Sequence, residues 1–202
     1  MIAALLFATL VDVTTLAPRL RLDIRYATPR NFTHQTLYAR ARCLLHETVA
    51  RRLADVEREL AARGLGLVVY DCYRPLSVQR KMWALVPDER YVSDPAKGSR
   101  HNRGAAVDVG LVDRRGRALP MPSGYDEFSV RAHRDFAGGS DARAKEARAN
   151  RALLEEIMTR HGFVGLPARQ GRAPRRRHGG TSTPKSGRPS RFPTSRCDMV
   201  AW

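Results

Sequence analysis

The segment Ser99-Arg100-His101-Asn102-Arg103-Gly104-Ala105-Ala106-Val107-Asp108 constrains this chain more than any other. The run from Ala105 to Val112 is apolar enough to form a buried strand, and Gly104 stands between it and His101. A loop histidine and a strand aspartate seven positions later can then converge on one cation. Imidazole nitrogen and carboxylate oxygen are both zinc donors, and a catalytic zinc site needs about three protein ligands with one position left open. His101 and Asp108 supply two of the three. The alternative for the same pair is local, a histidine and an aspartate that cap or hydrogen-bond their neighbours.

Composition narrows the class. At 202 residues and 43% hydrophobic, the chain is long enough for one domain with a real core. Three cysteines (Cys43, Cys72, Cys197), odd in number and without CxxC spacing, argue against a disulfide framework and against a thiolate metal site. The net charge of +16 suggests nucleic acid, yet half of it lies in residues 168–202, where nine Arg or Lys face one Asp. Elsewhere arginine is interleaved with Glu and Asp in helical segments, the pattern of a solvated face. Nucleic acid is therefore disfavoured as a partner. Residues 1–11 are apolar without a basic start, and read either as the remnant of a signal-peptide core or as a first strand. The compartment, bacterial cytoplasm or periplasm, stays open, and no apolar run approaches the roughly 20 residues of a membrane span.

Periodicity predicts an α+β domain. Leu20 to Ile24 alternates as a half-buried strand, and Leu45, Val49, Leu53, Val56 and Leu60 recur as the stripe of an amphipathic helix ending at Gly64. Leu65 to Tyr70 reads as a buried strand, Ser77 to about Val86 as a helix stopped by Pro87, and Glu146 to His161 as a last helix. From Ala168 to Arg196 aliphatic residues nearly vanish, so the segment cannot offset its ordering entropy and is expected to be a disordered basic tail.

Ser-x-His-x-x-Gly-x-x-x-Asp, preceded by Asp71-Cys72-Tyr73-Arg74-Pro75, resembles the VanX-type zinc D-alanyl-D-alanine dipeptidases. Tyr26-Ala27-Thr28, the segment Pro120 to Asp126, Arg131-Ala132-His133 and Arg160-His161-Gly162-Phe163 follow that family's order, so the resemblance spans residues 10–167. It implies a single α+β domain with a small antiparallel sheet and flanking helices, in the zinc D-Ala-D-Ala peptidase, hedgehog-like fold. It also implies one Zn²⁺ held by His101 and Asp108, and Arg74 as the stabiliser of the transition state. Tyr26 and Ser99 match residues lining a pocket for a small dipeptide substrate, and Asp126 matches the acid facing its free ammonium. His133 reads as a structural polar residue. A D-Ala-D-Ala carboxypeptidase acting on peptidoglycan stems is the nearest variant, and a non-catalytic protein binding nucleic acid or anionic surfaces through its basic tail is the reading from another class.

The family closes its site with Glu-x-x-His, the glutamate serving as general base and the histidine as third ligand. Neither is found here: no glutamate follows Glu156, and after Gly162-Phe163 the only histidine is His178. Read one base earlier, codons for Gly179 to Thr183 can spell Trp-Trp-His-Phe-Asp, which points to a shifted reading frame near codon 168. The chain as written is expected to hydrolyse the dipeptide weakly or not at all.

Overall fold

The computed structural model describes residues 9–165, apart from Arg90, Phe128 and residues 133–135, together with the backbone of residues 200 and 201. His133, His178 and residues 168–196 lie outside the described residues, and with them the expectation of a disordered tail.

Two sheets form. Strands β1 (Leu10–Asp12) and β3 (Leu44–His46) pair antiparallel, with Leu10 opposite His46. The larger sheet runs β2 (Arg21–Leu22), β4 (Leu65–Asp71), β5 (Asp108–Asp113) and β6 (Val200–Ala201). β4–β5 and β5–β6 are antiparallel, but β2 lies parallel to β4. The sheet is therefore mixed, where an antiparallel one was expected. The chain between β2 and β4 passes through β3 and helix α1 (Glu47–Ala62), and such a crossover is what a parallel pair requires.

The helices follow their apolar stripes. α1 buries Leu53, Val56 and Leu60 completely, each burial contributing roughly 1.5–3 kcal/mol. α2 (Leu76–Leu85) stops short of Pro87, and α3 (Ala142–Arg160) buries Leu154, Ile157 and Met158. α3 begins four residues before the expected Glu146, because the Asp141 carboxylate accepts from the Ala144 N–H at 2.8 Å and caps a longer helix. Leu67 and Val69 of β4 join Val109 and Leu111 of β5 in the core shared with α1 and α3. Val68 and Tyr70 point to the other face with Val112. The expected strand from Ala105 starts only at Asp108, although Ala106 and Val107 are fully buried.

Cys43 and Cys72 form a disulfide, which overturns the sequence argument against one. An odd count and irregular spacing say nothing about two thiols that the fold brings to a Cα separation of 5.2 Å. Cys43 lies just before β3 and Cys72 just after β4, and the Tyr73 N–H donates to the Leu44 carbonyl between them at 3.0 Å. Cys197 lies outside the described residues.

Candidate active site

The site begins at an irregularity between two strands. From Leu65 to Val69 each β4 residue pairs in register with β5, and continuing that register would set Asp71 opposite Val107. A bulge at Tyr70 shifts the pairing so that Asp71 lies opposite Asp108. Two carboxylates are thereby brought to one strand end.

The loop before β5 adds the histidine. His101 opens a short 3₁₀ turn closed by Gly104 in the left-handed region, φ 63°. A Cβ on Gly104 would stand 2.9 Å from the His46 backbone nitrogen and 2.5 Å from Leu10, so only glycine lets the loop lie against β1 and β3. The turn is pinned further by the Arg74 N–H donating to the His101 carbonyl at 3.0 Å, and by Asn102, whose Nδ2 donates to the Arg74 carbonyl at 2.7 Å.

His101, Asp108 and Asp71 form a buried cluster of possible metal donors lying within 4.8 Å of one another. His101 Nδ1 is 2.8 Å from the Cys72 carbonyl oxygen. A carbonyl only accepts, so Nδ1 carries the proton and Nε2 keeps a free lone pair. Burial, against the opposing pull of Asp71, lowers the His101 pKa and favours the neutral ring a metal needs. Nε2 stands 3.6 Å from Asp108 Oδ1. Two ligands on one zinc at a tetrahedral angle lie roughly 3.4 Å apart. Asp108 Oδ1 is buried and has no hydrogen-bond partner among the described residues, which a cation would supply. Burial, and then the Asp71 charge, push the Asp108 carboxyl well up in the absence of a cation.

Asp71 is occupied differently. Its Oδ1 accepts from Tyr38 Oη at 2.6 Å and the Cys72 N–H at 3.0 Å. Its Oδ2 accepts from Arg74 Nη2 at 2.6 Å and Nε at 3.2 Å. Arg74 Nη1 donates to Gln79 Oε1 at 2.9 Å, and Gln79, fully buried, donates in turn to the Ser93 carbonyl at 2.6 Å. Burial opposes the guanidinium charge, but Asp71 and then the nearby tyrosines outweigh it and hold the Arg74 pKa above its ordinary value.

Arg74 also links the metal corner to an aromatic pocket, its guanidinium carbon 5.2 Å from the Tyr26 ring centroid. Tyr26 Oη lies 3.1 and 3.3 Å from the two oxygens of Asp126, which also accepts from the Phe32 N–H at 3.4 Å. Asp126 adopts φ 55°, unusual for a residue with a side chain, and burial raises its carboxyl to about 7 against the lowering pull of the Phe32 and Tyr26 hydrogen bonds. Ser99, 9% exposed, pairs with Asn102 through its own N–H and so stands next to Arg74 in the network.

All six residues singled out from the sequence, namely Tyr26, Arg74, Ser99, His101, Asp108 and Asp126, fall in this one region. Asp71, Tyr38, Gln79 and Asn102 were not assigned roles. Asp71 and Asn102 stand inside the two motifs and could have been found there, whereas Tyr38 and Gln79 carry no local signal. His161 is elsewhere, its Nε2 2.9 Å from Glu59 on α1, so it joins α3 to α1.

The chain matches the model of the M15 peptidase family described as D-Ala-D-Ala dipeptidase, over residues 7–169. It is 41% identical to a D-alanyl-D-alanine dipeptidase of Escherichia coli strain K12 over 157 residues, covering 78% of this chain and 79% of that protein. It is 30% identical to dipeptidases of the same name from Enterococcus faecalis and Enterococcus faecium, in each case over 71% of this chain and 79% of the relative.

Proposed function

Because the chain belongs to the D-Ala-D-Ala dipeptidase family of metallopeptidases, we propose that it hydrolyses the D-alanyl-D-alanine dipeptide, a cell-wall precursor, with one zinc held at His101 and Asp108. The observation that carries this reading is the bare, buried Asp108 Oδ1 facing the unprotonated Nε2 of His101. A neutral imidazole and an unpaired carboxylate are both zinc donors, and among the described residues no thiolate competes, since Cys43 and Cys72 are joined in a disulfide. When bound, zinc supplies Lewis acidity to the scissile carbonyl and lowers the pKa of water to about 7.

The side chains do the remaining work. Arg74 holds a fixed positive charge beside the metal corner and donates to the oxyanion that develops at the carbonyl. Asp71 acts as a positioning residue through Arg74, because its oxygens are already filled by Arg74, Tyr38 and Cys72. Asp126 pairs with the substrate ammonium, and Tyr26 and Ser99 line the pocket. Tyr26 and Phe32 both donate to Asp126 and hold its carboxylate in place for the ammonium of a free dipeptide. No helix among the described residues is long and apolar enough to cross a membrane. The Cys43–Cys72 bond favours an oxidising compartment such as the periplasm.

The third ligand and the general base have no counterpart among the residues brought together here. Without a positioned base, hydrolysis is slower by about 10²–10⁴-fold. The expected result is one zinc per chain and slow, zinc-dependent release of D-alanine, both abolished by His101→Ala. Zinc retained at full stoichiometry in that variant would overturn the reading. Resequencing the gene across codon 168 tests the shifted frame, and an intact frame encoding the tail as written would end that proposal.

A further inference from the structure

Tyr125 stands in the loop before Asp126 and has a polar atom that the fold leaves unused. Its ring is clasped from several sides, with the Tyr70 ring centroid at 5.2 Å, the Tyr26 centroid at 5.9 Å and the Arg25 guanidinium carbon at 5.9 Å. Its hydroxyl is buried and makes no hydrogen bond of good geometry among the described residues, the Tyr26 hydroxyl being its nearest polar neighbour. Phenylalanine would give the same packing without the cost of an unpaired buried hydroxyl, so the oxygen calls for a partner that arrives from outside.

The surroundings limit what the partner can be. The charged and polar groups acting on the phenol are Asp126, Tyr26, Asp71 and Asp108, in that order after burial itself. Three carboxyl groups surround the phenol against the guanidiniums of Arg25 and Arg74, and the strongest-acting of them, Asp126, is the one that favours a cationic donor. Burial and these same charges keep the phenol protonated, so its oxygen lone pairs remain available as acceptors. An ammonium brings three N–H donors, and the neighbouring Asp126 carboxylate, which already receives Tyr26 Oη and the Phe32 N–H, can take only part of them.

We propose that the Tyr125 hydroxyl accepts a hydrogen bond from the α-ammonium of the bound dipeptide, beside the Asp126 carboxylate, and so helps select substrates with a free amino terminus. The assignment rests on the dipeptide reading above. It makes the Tyr125 hydroxyl a specificity group, while the ring packs against Tyr70 and Tyr26 in the fold.

The test compares full-length wild type and Tyr125→Phe, each with zinc added, by calorimetric titration. The probes are the ketomethylene isostere of D-Ala-D-Ala, which cannot be hydrolysed, and its N-acetyl form, which lacks the ammonium. Tyr125→Phe is expected to weaken the free-amine isostere about tenfold, to leave the N-acetyl form unchanged, and to melt no lower than wild type without ligand. Unchanged affinity for the free-amine isostere, or an equal loss for both forms, would overturn the role of Tyr125 while leaving the dipeptide reading intact. Failure of wild type to bind the free-amine isostere would overturn both.

Discussion

At the metal corner the acidic groups stand on strands, while in the aromatic pocket Asp126 stands on a loop at φ 55°. Asp71 and Asp108 are cross-strand neighbours fixed by the β4–β5 ladder and its bulge. Asp126 is held by one tyrosine hydroxyl and one backbone N–H. The two corners also divide their hydrogen bonds unevenly. Asp71 is saturated and serves the protein, whereas Asp108 Oδ1 and the Tyr125 hydroxyl are bare. Groups the fold has already satisfied act as scaffolding, and groups it leaves unsatisfied face a ligand. Strand-borne donors suit a metal, which tolerates little displacement, and loop-borne donors suit recognition of a substrate's end.

The largest effect expected from breaking this division is at Asp108. Asp108→Ala should reduce zinc from one per chain to near zero by metal analysis and abolish D-alanine release, with little loss of folding, since the oxygen removed has no internal partner. Asp71→Asn tests the opposite role. Zinc should stay bound while kcat falls roughly 10²–10³-fold, with KM less affected, because Arg74 loses the charge that aims it. Loss of zinc in that variant would make Asp71 a ligand and erase the distinction between the two carboxylates.

The disulfide sharpens the comparison from the side of stability. Replacing Cys43 and Cys72 with alanine opens a loop with a separation of 29 residues and should cost about 3–4 kcal/mol in chemical denaturation. The same change should weaken zinc more than it weakens dipeptide binding, because the Cys72 carbonyl orients His101 and makes no contact with Asp126.

The smallest effect concerns pH. Burial raises Asp126 from 3.8 to about 7, so its neutral form is favoured in the folded protein. Stability from this group is full below the unfolded value near 4 and is lost as pH rises through about 7. Dipeptide affinity runs the other way, rising as the carboxylate forms. Asp126→Asn should flatten both trends, read as melting temperature and as binding at pH 5 and pH 8.

Particular elements mark how far the sequence could be read. The α1 stripe from Val49 to Leu60, the buried β4 run and the end of α2 before Pro87 are local patterns, and each was recovered within a few residues. His101 and Asp108 were legible because seven residues with a glycine between them nearly suffice to close the pair. The parallel placement of β2 was not legible, since strand direction depends on how α1 crosses the sheet. Nor was the Cys43–Cys72 bond, whose partners meet only after β3 and β4 are laid side by side.

Residue chemistry and short-range spacing were set by the chain alone: which groups can bind a cation, where α1 and α2 stop, and that a glycine separates His101 from the strand that carries Asp108. Tertiary structure alone brought Asp108 opposite Asp71, because the one-residue bulge in β4 sets that pairing. Asp71 is filled largely by its neighbours Cys72 and Arg74, but the Tyr38 hydroxyl that completes it, and the lack of any partner for Asp108 Oδ1 among the described residues, depend on atoms distant in sequence that no local pattern records.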